Sequence, residues 1–343
     1  MSRLQNIVIA DLLIKIKQII NASRSKLAQT INSELIQTYW EIGKAIIEKE
    51  RTNNFDNKSS RQIILELSKQ LSKELGKGFS RSNLFYMRNF YLYFPNVQTV
   101  SGQLTWSHYC ELLVVTDENK RSFYEKETSN SHWSVRELKR QIASSLFERL
   151  LLSEGKPNKE KVLKLAREGQ IVLNPSDLIK DPYVFEFLGI PENKPILEKD
   201  LELKLIRHIE DFLLELGKGF MFVGSQFRIT LNNVHHYIDL VFYNKILKAY
   251  ILIDLKTEKF QADNVGQMNM YLNYFKTEIN DEEDIEPIGI ILCTEKDEVV
   301  AEYALGGLTN QIFASKYVYY LPDKEILIKE VERFLIEEKL TKQ

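Results

Sequence analysis

Apolar positions in the first part of the chain recur with the spacing of a helix. Ile7–Ile20 is rich in apolar residues but interrupted by Asp11, Lys15 and Lys17, the pattern of an amphipathic helix with no small-residue cleavage site behind it. No stretch reaches the ~20 apolar residues of a membrane span, so no membrane partner is expected. Ile31, Leu35, Tyr39, Ile42 and Ile46 follow at steps of three and four and predict one buried helix stripe. Ile64, Leu67, Leu71 and Leu75 repeat the pattern, and Gly76 supplies a stop. Lys77-Gly78-Phe79 and the N-cap type Ser80 then precede a helix over Arg81–Phe94 that Pro95 ends. Val135–Leu150 reads as a further helix. These elements predict an all-α domain over residues 1–151.

Five of the eight prolines (Pro157, Pro175, Pro182, Pro191, Pro195) then crowd into one stretch. Proline fixes φ and lacks an N–H, so long regular elements are excluded there, and a connector over residues 152–198 is expected, with a short helix at Lys159–Arg167. Beyond it the period changes. Leu201–Leu216 is an amphipathic helix, and Phe220–Arg228, Tyr237–Tyr243 and Ala249–Lys256 are strand-like. Val265–Tyr274 returns to helix, Ile288–Cys293 is a short apolar strand, and Lys324–Glu338 is helical again. The order α-β-β-β-α-β predicts an α/β domain over residues 199–343, and the chain as a whole is of mixed α+β class.

A length of 343 residues agrees with two domains. Two cysteines, Cys110 and Cys293, exclude a disulfide framework or a thiolate zinc site and point to a reducing, cytoplasmic setting. The formal charge of −2 conceals a split: residues 1–150 carry net +7 and the remainder −9. A basic half joined to an acidic half is a clue about partners.

The acidic half places carboxylates where strands should be apolar. Asp239 sits within Tyr237–Tyr243, and Asp254 within Tyr250–Lys256, with Lys256 two residues on and therefore on the same side of the strand. An unpaired buried carboxylate is expensive, and one divalent cation would serve both. On the preceding helix, Leu205, Ile206, Ile209, Phe212, Leu213 and Leu216 define the buried face, and Glu202 falls near its middle. The neighbouring His235 and His236 point to opposite sides of a strand and make a poor chelating pair, and Gly217-Lys218-Gly219 lacks the spacing of a phosphate loop.

In the basic half, seven basic residues stand against two acidic ones between Lys58 and Arg88, on two helices separated by a glycine-containing turn. That outline is helix-turn-helix-like. It makes Lys73, Lys77, Arg81, Asn83 and Arg88 candidates for nucleic-acid contact, with Ser82 beside them. Phe85, Tyr86, Phe90 and Tyr91 read as core.

The combination Ile238-Asp239, then Asp254-Leu255-Lys256, resembles the PD-(D/E)XK nuclease superfamily, with isoleucine where proline usually precedes the first acid. Gln267-Met-Asn-Met-Tyr271 on the next helix resembles the Gln-x-x-x-Tyr motif of its RecB-like branch. More closely, the chain resembles the YhcG family, in which a helical N-terminal domain precedes a nuclease domain. The resemblance rests on Asp211–Phe220, Phe222–Gln226, Trp106–Tyr109 and Trp133–Leu138, and it extends from about residue 15 onward. It implies a restriction-endonuclease-like αβββαβ fold and metal-dependent hydrolysis of DNA. Glu202, Asp239 and Asp254 would hold Mg²⁺ or Mn²⁺, Lys256 would orient or help deprotonate the attacking water, and Gln267 and Tyr271 would position the site, with Gln226 as a weaker candidate behind them. A homodimer, an RNA substrate, and an inactive binding or assembly protein on a nuclease fold all stay open at this level.

Overall fold

The computed structural model describes residues 3–96, 104–153, 157–191, 196–309 and 311–341. The chain divides into two units, Met1–Lys139 and Arg140–Gln343. In the first, every regular element described is helical: α1 (Arg3–Thr52), α2 (Asn57–Leu75), α3 (Arg81–Tyr93), α4 (Trp106–Leu112) and α5 (Glu118–Ser131). The boundary falls within α6 (Val135–Ala143). The caps follow the side-chain chemistry: Asp56 accepts from the Ser59 N–H, and Ser80 from the Asn83 N–H.

Packing in this unit is set by one glycine. A Cβ on Gly43 of α1 would lie 2.0 Å from the Met87 carbonyl oxygen of α3, so the two backbones touch there as no larger residue permits. Ile64, Leu84 and Met87 form the buried centre, with Tyr39, Ile42, Ile46, Leu67 and Leu71 packed around it. Three residues of the expected stripes do not join them: Ile31, Leu35 and Leu75 are exposed. The buried face of α1 runs instead through Ile36, Gly43 and Ile47, because the close approach at Gly43 fixes how the helix is rotated.

The second unit begins with the rest of α6 and continues through α7 (Leu146–Ser153), α8 (Lys159–Glu168), β1 (Tyr183–Val184), α9 (Glu198–Arg207) and α10 (Ile209–Leu216). It then adds β2 (Phe220–Leu231), β3 (Val234–Asn244), β4 (Ala249–Leu255), α11 (Ala262–Glu278), β5 (Ile288–Cys293), α12 (Glu298–Leu305), β6 (Gln311–Val318) and α13 (Lys324–Thr341). The six strands form one sheet in the order β1-β6-β5-β4-β3-β2. Strands β2, β3 and β4 pair antiparallel, whereas β4, β5, β6 and β1 run parallel. The α-β-β-β-α-β order is the observed one, with β1, α12 and β6 in addition to the segments read from the sequence.

Two apolar clusters cover the sheet. One gathers Leu201, Leu205, Phe212 and Leu216 of α9 and α10 with Leu240, Ile251, Ile253 and Leu255. The other gathers Met268, Leu272 and Phe275 of α11 with Val241, Leu252 and Ile291. A Cβ on Gly289 of β5 would lie 2.6 Å from Met268 Cγ, so this glycine lets α11 lie close to the sheet. Among the described residues no helix is long and apolar enough to cross a membrane.

Two expected helices are each split. Val135–Leu150 breaks at Ser144–Ser145, where Ser145 takes a φ of +53° and the freed Ser144 carbonyl accepts from Arg149 Nε at 2.9 Å. Leu201–Leu216 breaks at His208, which ends α9 and opens α10, and both halves contribute to the same cluster, Leu201 and Leu205 from α9 and Phe212 and Leu216 from α10. The proline-dense stretch is not a bare linker in the structure. Val172, Leu178, Tyr183, Phe185, Leu188 and Ile190 enter the first cluster, and β1 extends the sheet beside β6. Proline prevents long elements there without preventing burial. Residues 154–156 and 192–195 of that stretch, Pro195 included, lie outside the described residues.

Candidate active site

The β3–β4 ladder ends at the pair Leu240–Ile253. One step further come Asp239 and Asp254, both buried. Here a side chain replaces the backbone as acceptor: Asp239 Oδ2 takes the Leu255 N–H at 2.8 Å. The other oxygen, Oδ1, faces Gln226 of β2, whose Nε2 donates to it at 3.2 Å and to Glu202 Oε2 of α9 at 2.8 Å. One amide thus ties two carboxylates that would otherwise repel. Gln226 holds a φ of +47°, in the left-handed region that non-glycine residues seldom occupy. Its neighbours Ser225 and Phe227 pair with Leu240 and Ile238.

Asp254 is held differently. Its Oδ2 lies 3.0 Å from Lys256 Nζ, within ion-pair distance, yet this buried oxygen has no partner in hydrogen-bond geometry. Burial first, and then the nearby Asp239 charge, push its carboxyl up to about 7 against the pull of Lys256. Glu202 is also raised, by burial and then by Asp239. Asp239 is therefore the charge that both of the others feel. The Lys256 ammonium is pulled down by burial, but Asp254, with Glu198 and Asp239 behind it, outweighs that and leaves it raised.

The structure adds Glu198, the first residue of α9, whose Oε1 lies 3.5 Å from Lys256 Nζ. The signal was available in the sequence, since Glu198 and Glu202 are four residues apart on one helix and so share a face. It also adds Tyr317, whose hydroxyl donates to the Lys256 carbonyl at 3.0 Å and braces the strand end from β6. Gln267 and Tyr271 meet on α11: Gln267 Nε2 donates to the Tyr271 hydroxyl at 2.7 Å, and that hydroxyl donates to the Tyr237 carbonyl at 3.1 Å. They brace the strand that carries Asp239 and make no hydrogen bond to the carboxylates themselves.

Among the described residues no three His, Cys, Asp or Glu groups already stand as a metal cage. The donor set nevertheless fits a hard divalent cation. All the candidate donors are carboxylate oxygens, one of them is buried with no partner in hydrogen-bond geometry, and two others converge on a single amide proton donor.

The candidates of the first unit divide into two groups. Lys73, Lys77 and Arg81 are exposed, with Arg81 lying over the Phe85 ring. Asn83 and Arg88 are engaged within the fold. Asn83 donates to the Gly78 carbonyl at 2.6 Å and accepts from Trp106 Nε1 at 2.8 Å. Arg88 pairs with Glu50 at 2.8 Å.

Residues 176–333 match the family described as YhcG PDDEXK nuclease domain, and residues 15–149 match the DUF1016 N-terminal domain. The chain is 38% identical over 347 residues to the Escherichia coli (strain K12) protein named "Putative nuclease YhcG", covering 92% of this chain and 91% of that one. The chain belongs to the YhcG family. Among solved structures, a repair endonuclease from Pyrococcus abyssi matches 36% of this chain and 48% of its own, with 18% identity and a TM-score of 0.27. The EndoMS–dsDNA2 complex matches 39% of this chain and 51% of its own, with 11% identity and a TM-score of 0.26. The matched part thus spans about half the length of each of those chains.

Proposed function

We infer that the protein is a metal-dependent nuclease that hydrolyses phosphodiester bonds of DNA. The observation that carries this reading is the buried Asp254 Oδ2, beside Lys256 but without a partner in hydrogen-bond geometry, on the strand next to a carboxylate that is itself tied to Glu202. Membership of a family described as a PDDEXK nuclease supports it.

Asp254, Asp239 and Glu202 would hold Mg²⁺ or Mn²⁺. When bound, the ion supplies an acidified water as nucleophile and screens charge on the phosphate. Lys256 stands among acidic neighbours, Asp254 first, that favour its charged form. It can orient the attacking water or help deprotonate it, and as a compact cation it can neutralise a phosphate oxygen. Gln226 fixes the spacing of Glu202 and Asp239, and the Gln267–Tyr271 pair fixes the strand beneath them. In the basic unit, Lys73, Lys77 and Arg81 are free to meet phosphates, which positions a duplex without reading its sequence.

The test is a panel of DNA and RNA substrates with and without Mg²⁺ or Mn²⁺, run on the wild-type protein and on Asp254→Asn. Cleavage of DNA that needs the ion and is abolished in the variant, with its fold intact, is the expected result. Equal cleavage by the variant would remove the site assignment. Binding without cleavage under all conditions would favour an assembly role, and cleavage confined to RNA would change the substrate.

A further inference from the structure

Between Leu12 and Leu35, helix α1 leaves a row of large apolar side chains uncovered. Leu12, Ile16, Ile20, Leu27, Ile31 and Leu35 are all exposed, from 40% at Leu35 to 61% at Leu27. At about 100° per residue, the first five project within one third of the helix circumference. Asn32 lies on roughly the opposite side and bonds the Leu104 carbonyl at 2.7 Å, and Ile36, on that same side, is buried. The stripe therefore points away from the helix's own bundle. A run of large apolar side chains left exposed along one helix face is the mark of an interaction surface.

Six of the exposed apolar residues are placed symmetrically along the helix, with Leu13 and Ile19 exposed beside them. The steps between the six are four, four, seven, four and four residues, centred between Ser23 and Arg24. A twofold interface requires residue i to meet j while j meets i. An antiparallel pair of α1 helices does so, setting Leu12 against Leu35, Ile16 against Ile31, and Ile20 against Leu27, with the small Ser23 at the crossing. Charge selects this direction. In a parallel pair, Lys15 would fall beside Lys17 of the second copy, Lys26 beside Arg24, and Glu34 would face Glu34. Turning one helix round relieves these contacts and brings Glu34 to the end that carries Lys15 and Lys17, leaving only Arg24 near its own copy at the solvent edge.

We propose that residues 12–35 of α1 form an antiparallel helix pair with a second copy of this chain, making the protein a twofold homodimer. The inference does not depend on catalysis, and none of its residues belongs to the candidate active site. The 343-residue chain should sediment at twice its 40.2 kDa. Ile20→Glu with Leu27→Glu should return it to the monomer with unchanged helical content, since both positions are exposed. In a Cys110→Ser background, Ser23→Cys should cross-link to its own copy under mild oxidation. Ile16→Cys should not, because antiparallel pairing holds those two residues about 22 Å apart. A monomer at all concentrations, or a dimer untouched by the double substitution, would overturn the proposal. So would cross-linking through Ile16→Cys in place of Ser23→Cys, or a monomer whose stripe binds anionic vesicles.

Discussion

The side-chain amide of Gln226 stands between two acids, donating to Glu202 at 2.8 Å and to Asp239 at 3.2 Å. It reaches them from a left-handed backbone position inside a strand, a conformation that costs on the order of 1 kcal/mol and persists only where its surroundings hold it. Residues that orient metal ligands typically change ion affinity by about 10–100-fold when removed. Gln226→Ala should therefore weaken Mn²⁺ binding by about tenfold or more in a calorimetric titration. An unchanged affinity would reduce Gln226 to a packing residue.

Lys256 tests a different step. Its charge is held by Asp254 and Glu198 and is fully present at neutral pH. Removing one preorganised donor that meets developing negative charge typically lowers the rate by about 10²–10³-fold. Lys256→Met should lose that much cleavage while still binding the metal, and Lys256→Arg, which keeps the charge, should recover part of it. If Met and Arg variants cleave equally, charge is not the contribution of this side chain.

Local chemistry made much of the second unit legible. Ile288–Cys293 forms a strand as read, and Asp239, Asp254 and Lys256 were marked by being charged in strands that are otherwise apolar. What the sequence hides is set by distant contacts. The rotation of α1 depends on Gly43 meeting Met87, forty-four residues away, so the local spacing points Ile31 and Leu35 toward a core that they do not reach. The short strand Tyr183–Val184 is too small to carry a period and exists because β6 offers it an edge. Asn83 and Arg88 resemble free nucleic-acid ligands until Trp106 and Glu50 are seen to engage them.

Gly43 itself makes a stability prediction. A methyl group there would sit 2.0 Å from a backbone oxygen that cannot swing aside, so α1 and α3 must separate. Overpacking of this kind typically destabilises by about 1–3 kcal/mol, and backbone contact places Gly43→Ala at the upper end. Urea unfolding should show the loss, whereas Gly78→Ala, which meets nothing within 4 Å, should be close to neutral.

The acid limit of the second unit should be set by Glu215. This carboxylate has no exposure and lies among Arg149, Arg140 and Lys180: both arginines pair with it, and Lys180 donates to its backbone carbonyl. It also accepts the Val184 N–H at 3.0 Å, which ties α10 to the first residues of β1. Burial alone would raise its carboxyl, but the three cations outweigh burial and lower it from 4.5 to about 2. A group depressed on folding contributes stability above its unfolded value and loses it as pH falls through the folded one. The contribution, on the order of 3 kcal/mol, should therefore be complete above about pH 4.5 and disappear progressively toward about pH 2. Glu215→Gln keeps the shape but leaves Arg149 buried without its counter-charge, which typically costs about 3–5 kcal/mol. Denaturant unfolding at neutral pH should show that loss, and between pH 4.5 and 2 the variant should lose less stability than the wild type. Parallel acid profiles for the two proteins would mean that another carboxylate governs the transition.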